Sequence, residues 1–183
     1  ITIKYNQNGL LRWIETFNGQ VNGEDKAFGI AVDESDNVYV TGYITRTFNT
    51  ANTDAVVLKY SPSGNLRWDE TYNGNGNIST DKAWGIVVDN DENGVYITGQ
   101  TATASNELDY MTIKYTTGGI RKWVTKYNGT GNGNDVANAI SKLGNHKIVI
   151  TGASWGINNN HDYATVRMNK NGNIIGVSRY SMT

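Results

Sequence analysis

The chain has no cysteine, which closes off both a disulfide framework and a thiolate metal site. It holds one proline and no apolar run near the roughly 20 residues of a membrane-spanning helix, so no membrane span is expected. An excess of charge of one sign is also lacking: 16 basic residues stand against 17 acidic ones, for a net charge of −1. A partner held mainly through phosphates needs a basic surplus that releases counterions, so nucleic acid is not an expected ligand. No window shows helical periodicity. What the 183 residues do have is 25 asparagines and 21 glycines, a composition suited to many turns.

The chain also repeats itself. Ile3-Lys4-Tyr5, followed by Gly9 and Trp13, returns as Leu58-Lys59-Tyr60 with Gly64 and Trp68, and as Ile113-Lys114-Tyr115 with Gly119 and Trp123. A fourth copy runs Val166-Arg167-Met168 and Gly172, with Gly176 in the place of tryptophan. The tryptophans are spaced by 55 residues, and Gly119 and Gly172 by 53. Two further blocks keep the same step: Val-Tyr-Val-Thr-Gly at 38–42 with its copies at 95–99 and 148–152, and Asp-Lys-Ala-Phe-Gly-Ile at 25–30 with its copies at 81–86 and 135–140. Three independent blocks in one register make the repeat secure.

Each block reads as a strand. Ile1, Ile3 and Tyr5 alternate with Thr2 and Lys4, which gives one apolar face. The Tyr-Val-Thr-Gly block is β-branched and aromatic, as suits a pleated surface, and Asn-Gly, Ser-Gly and Gly-Gly between blocks allow tight hairpins. One unit thus holds strands A (28–32), B (38–42), C (55–60) and D (66–72). Four strands in about 50 residues is the spacing of a β-propeller blade. The expected fold is all-β, a β-propeller of four-stranded antiparallel blades. The expected division is a C–D pair at 1–17 and blades at 25–73, 81–128 and 135–181. That is about three and a half blades where closed propellers use about 4 to 8. The expectation is therefore part of a larger or oligomeric propeller, completed by other blades of a longer chain or by further copies of itself.

Residues 109–123 read Asp-Tyr-x-Thr-x-Lys-Tyr-x-x-x-Gly-x-x-x-Trp and are followed by Tyr127-Asn128-Gly129. Together with Asp-x-Ala-x-x-Ile and Val-Tyr-Val-Thr-Gly, this string resembles the bacterial beta-propeller repeat known as the SBBP repeat. The resemblance covers nearly the whole chain. It implies a bacterial propeller, secreted or attached to the cell surface, and brings no catalytic residue with it. The last unit departs from the pattern at residues 142–144 and at Gly176.

Several motifs have both a chemical and a structural reading. Gly-x-x-x-Trp is similar to a docking element of quinone-dependent dehydrogenases, but a wedge repeated in every unit serves the blade. Residues 89–94 match the first half of a calcium loop, yet the twelfth position is Gln100, so a hairpin turn is expected. Asp25, Asp81 and Asp135 precede A strands, and Asp54, Asp109 and Asp162 precede C strands, all on one rim. They suit cation or sugar ligands, or acceptors of backbone N–H groups in their own turns, and the second is preferred. Lys4, Lys59, Lys114 and Arg167 read as a solvated face. His146 and His161, the only histidines, fall at opposite faces, so no two-histidine metal site or histidine-based catalytic set is expected.

What varies between units is the B–C loops. Phe48, Asn106, Trp155 and His161 are the candidate ligand-binding residues there, where rings stack on a partner and amides bond its hydroxyls. The expected function is a non-enzymatic module, without cofactor or metal, that binds a protein or glycan at this face or acts as a spacer outside the cell. A carbohydrate-binding lectin is the alternative, and a quinone-cofactor oxidoreductase a distant one.

Overall fold

The computed structural model describes residues 1–47, 52–74, 80–105, 107–144, 146–158 and 160–181. Among these there is no helix, and fourteen strands follow one another: β1 (Thr2–Tyr5), β2 (Leu11–Glu15), β3 (Lys26–Val32), β4 (Val38–Thr45), β5 (Thr53–Tyr60), β6 (Leu66–Tyr72), β7 (Lys82–Asp89), β8 (Gly94–Ala102), β9 (Leu108–Thr116), β10 (Arg121–Tyr127), β11 (Val136–Leu143), β12 (Lys147–Trp155), β13 (His161–Asn169) and β14 (Ile174–Tyr180). They form a two-stranded sheet, β1–β2, and three four-stranded sheets, β3–β6, β7–β10 and β11–β14. Each strand pairs antiparallel with its sequence neighbour, as turns of a few residues dictate. The strands read from the sequence all appear, with A, B and C each extended by two or three residues.

Two irregularities recur, one between the last two strands of each sheet and one between the first two strands of each four-stranded sheet. Between the first two strands of each four-stranded sheet the register slips by one residue, after Ala27, Ala83 and Ala137. Opposite each slip is the glycine of the Thr-Gly pair. A Cβ on Gly42, Gly99 or Gly152 would overlap the carbonyl oxygen of Lys26, Lys82 or Val136. The bulge brings backbone against backbone, and only glycine leaves the space.

The sheets pack face to face in sequence order, with β3 against β7 and β7 against β11. Trp13 joins Val38, Val40, Val56 and Leu58 between the first and second sheets. Tyr39, Ala55 and Val57 meet Ile97, Met111 and Ile113 between the second and third. Tyr96 and Tyr110 meet Ile148, Ile150 and Val166 between the third and fourth. The alternation read from the sequence is overruled in the middle sheets, where β4 and β8 are buried along their whole length because both faces are covered. It survives in β12 and β13, whose outer face has no neighbour among the described residues.

The tryptophan of each unit reaches the glycine turn of the next. Trp13, Trp68 and Trp123 lie over Gly64, Gly119 and Gly172, whose φ values of 93°, 91° and 83° favour glycine. Each indole N–H donates to a carbonyl of the same turn, Pro62 at 3.0 Å, Thr117 at 3.1 Å and Lys170 at 3.0 Å. This is the structural wedge that the repeat called for.

Gly99→Ala tests the bulge. A methyl group there has to displace the Lys82 carbonyl, and overpacking of this kind costs about 1–3 kcal/mol. The expected result is a lower Tm and denaturation midpoint, while alanine at Gly144, where a Cβ meets nothing within 4 Å, leaves both unchanged.

Candidate functional site

The B–C and D–A loops share one end of the sheets, and there the repeated aspartates meet in pairs. The Asp81 N–H donates to the Thr53 carbonyl at 2.9 Å, and the Asp135 N–H to the Leu108 carbonyl at 2.5 Å. Two of the three A-type aspartates are thereby set beside the C-type aspartate of the preceding sheet, Asp81 by Asp54 and Asp135 by Asp109.

The A-type carboxylates hold backbone. Asp25 accepts the N–H groups of Gly19 (2.6 Å) and Thr45 (3.0 Å). Asp135 accepts those of Gly129 and Trp155, both at 2.8 Å, and Asp81 accepts that of Gly74 at 2.8 Å. These bonds tie the D–A loop to the last residues of strand B. Of the two readings open to these aspartates, backbone acceptor is the one the geometry displays.

The C-type carboxylates differ. Asp54 and Asp109 are buried, and one oxygen of each, Oδ1, has no hydrogen-bond partner among the described residues. The other oxygen of Asp54 meets the Arg46 guanidinium, Nε to Oδ2 at 3.1 Å. Burial pushes the Asp54 carboxyl up to about 6, against the opposing pull of Arg46 and with a further push from Asp81. Burial also raises Asp109, and the Asp135 carboxylate adds to it. In the fourth sheet the Arg179 guanidinium lies 2.9 Å from Asp162 and holds its carboxyl below the usual range. Arg179 also bonds the Tyr127 hydroxyl and the Ser154 and Trp155 carbonyls. Chemically the two inner junctions hold a proton above the ordinary carboxylate range. Among the described residues no three of His, Cys, Asp and Glu cluster as metal ligands.

Of the four candidate binding residues, Phe48 and Asn106 lie outside the described residues. Trp155 and His161 close the β12–β13 hairpin and meet edge to face, ring centroids 4.7 Å apart. The Trp155 ring lies against Gly133, so close that a Cβ there would run into the indole. The His161 Nε2 lies 3.1 Å from the Asn134 carbonyl oxygen. Both side chains therefore help to fix the D–A loop. Two exposed tyrosines beside them carry no signal in the sequence. Tyr163 is 74% exposed although its counterpart Tyr110 is fully buried, and Tyr180 is 67% exposed. With Asn160 and His161 they line a shallow hollow on the outer face of the fourth sheet.

At the opposite end, residues 89–94 form the expected hairpin turn, with Asn93 at φ 46°. Its carboxylates face cations, Asp89 with Lys142 at 2.7 Å and Glu92 with Lys170 at 3.4 Å. The solvated-face reading of the repeated lysines does not hold for two of them. Lys59 and Lys114 lie over the rings of Tyr39 and Tyr96, each 5.1 Å from the centroid, and Lys114 is buried. The cause is the neighbouring sheet, which covers the face they occupy.

The Asp54 junction carries a pH dependence of defined sign. Its pKa is about 6 in the folded chain and roughly 3.9 unfolded, so the folded state binds more protons between these values. The contribution of Asp54 to stability is greatest below about pH 4 and falls as pH rises to about 6. Comparison of Tm from pH 4 to 7 should show a shallower fall in Asp54→Asn than in the parent, and parallel curves would contradict the assignment.

Residues 19–48 match the family model of a beta-propeller repeat, SBBP. No curated protein matches the chain. The matched stretch spans the end of a D–A loop, β3 and β4, and so includes the bulge, the Thr-Gly pair and the Asp25 anchor. The repeat that the chain's residues resemble is the one whose family model residues 19–48 match.

Proposed function

We propose that the three four-stranded sheets and the β1–β2 pair are consecutive blades, about three and a half, of a propeller that works as a non-enzymatic binding or spacing module at the bacterial cell exterior. The observation that carries this reading is where the recurring side chains are spent. Each repeated tryptophan is committed to the next unit's turn, and Asp25, Asp81 and Asp135 to backbone N–H groups. Residues repeated in this way serve a stack whose stability adds up unit by unit, and the non-repeating B–C loops are left to carry recognition. The division into 1–17, 25–73, 81–128 and 135–181 follows from the same reading.

A second reading, a carbohydrate-binding propeller, is favoured by the hollow that Asn160, His161, Tyr163 and Tyr180 line. Exposed rings beside an amide are the chemistry of sugar stacking. Tyr163→Ala is a cleaner probe than Trp155→Ala, because the Trp155 ring supports Gly133 and the Tyr163 side chain stands free in solvent.

External protease on intact native cells should digest the chain without lysis, and digestion only after lysis would contradict the exterior placement. A glycan array should be blank under the first reading. Defined glycan signals that drop about fivefold in Tyr163→Ala, one lost stack being worth roughly a kcal/mol, would establish the second.

A further inference from the structure

Each D–A loop has an Asn-Gly step near its start, Asn18-Gly19, Asn73-Gly74 and Asn128-Gly129. The first and third loops contain another a few residues on, Asn22-Gly23 and Asn132-Gly133. Asparagine is a thermolabile residue, and a following glycine has no Cβ to keep its nitrogen away from the asparagine side chain. The early steps are all held by the repeated aspartates. The N–H groups of Gly19, Gly74 and Gly129 donate to Asp25, Asp81 and Asp135 at 2.6, 2.8 and 2.8 Å. The later steps are not. The Gly23 N–H turns back to the Val21 carbonyl at 2.8 Å, and the Gly133 N–H has no partner among the described residues. Asn128 and Asn132 are both exposed. Within one loop they differ in what the following nitrogen does, not in their access to water.

We propose that Asn132 is a site of spontaneous deamidation, and that the Asp135 carboxylate keeps Asn128, in the same loop, out of this reaction. The inference does not rest on the blade reading. In the first step the Gly133 nitrogen gives up its proton and attacks Cγ of Asn132. An N–Cγ bond forms, the Cγ–Nδ2 bond breaks, and Nδ2 leaves as ammonia with one added proton. Water then opens the five-membered imide. Cleavage at Cγ gives aspartate, and cleavage at the backbone carbonyl gives isoaspartate, whose main chain runs through Cβ. At Gly129 the first step is opposed. Its nitrogen would become negative 2.8 Å from a carboxylate oxygen, and a like charge so close makes the anion rarer by about tenfold or more. Asp135 is itself fixed by the Trp155 N–H at 2.8 Å, so the Gly129 nitrogen is held in place. At Gly133 neither restraint exists: the Trp155 indole lies where a Cβ would stand and leaves the N–H unbonded. The product adds a negative charge to the loop that Trp155 and His161 brace.

The full chain, kept folded in mildly alkaline buffer and sampled over time, is digested and mapped by mass spectrometry, with isoaspartate read by enzymatic methyl labelling. Asn132 should convert about tenfold or more faster than Asn128, to a mixture of aspartate and isoaspartate. Asp135→Asn keeps the size of the side chain and removes its charge. In that variant the Asn128 rate should rise toward that of Asn132, with strand amide protection showing that the sheets are intact. Should the variant unfold, the parent chain in denaturant keeps the test: there the two rates should converge. Equal rates in the folded parent, or a faster Asn128, would overturn the proposal. Asn128 that stays slow in folded Asp135→Asn would overturn it as well. So would a difference that persists in denaturant, by assigning it to local sequence and not to the bond from Gly129 to Asp135.

Discussion

Every sheet in this chain is held to the next by an indole laid on a glycine. The tryptophan of a D strand spans the gap to the following unit, rests on a turn whose positive φ requires glycine, and gives its N–H to a carbonyl of that turn. Aromatic rings bring the largest apolar area a single residue can bury, and the N–H adds a direction. The spacing of 55 residues between tryptophans is thus the distance along the chain from one sheet to its neighbour. Where the fourth unit has Gly176 in place of tryptophan, Arg179 on the same strand takes up the polar contacts at the rim.

The same junctions set the chemistry. At the two inner junctions the C strand lies beside the next A strand and puts two carboxylates together, Asp54 with Asp81 and Asp109 with Asp135. Asp81 and Asp135 spend their oxygens on backbone N–H groups, while Asp54 meets an arginine and, like Asp109, has its carboxyl raised by burial. Such pairing at a sheet boundary accounts for repeated acidic residues without a ligand, because a group present in every unit serves contacts present in every unit.

Strand positions, hairpin turns and the tryptophan wedge were legible in the sequence because they depend on neighbours along the chain and on a period that repeats them. What depends on lateral stacking was not. Lys59 and Lys114 have the alternation of a wet face, and only the next sheet turns them into covered cations over tyrosine, Lys59 in part and Lys114 fully buried. Tyr110 and Tyr163 share a position in the repeat, yet one is buried and the other exposed, because only one has a sheet outside it. Arg46 and Arg179 lie outside the repeated blocks and pair with aspartates that lie within them. Trp155 and His161 were legible as loop residues, but their roles in bracing the D–A loop rest on contacts about 20 residues away or more, at Asp135, Gly133 and Asn134.

The central claim is that consecutive units are joined by tryptophan side chains bonded into the following turn. Hydrogen exchange of the five indole N–H groups, resolved by nitrogen-15 labelling, reads it directly. Trp13, Trp68 and Trp123 should exchange far more slowly than a free indole, and as a group. Three resonances exchanging at the free rate, in a chain whose strand amides stay protected, would contradict it.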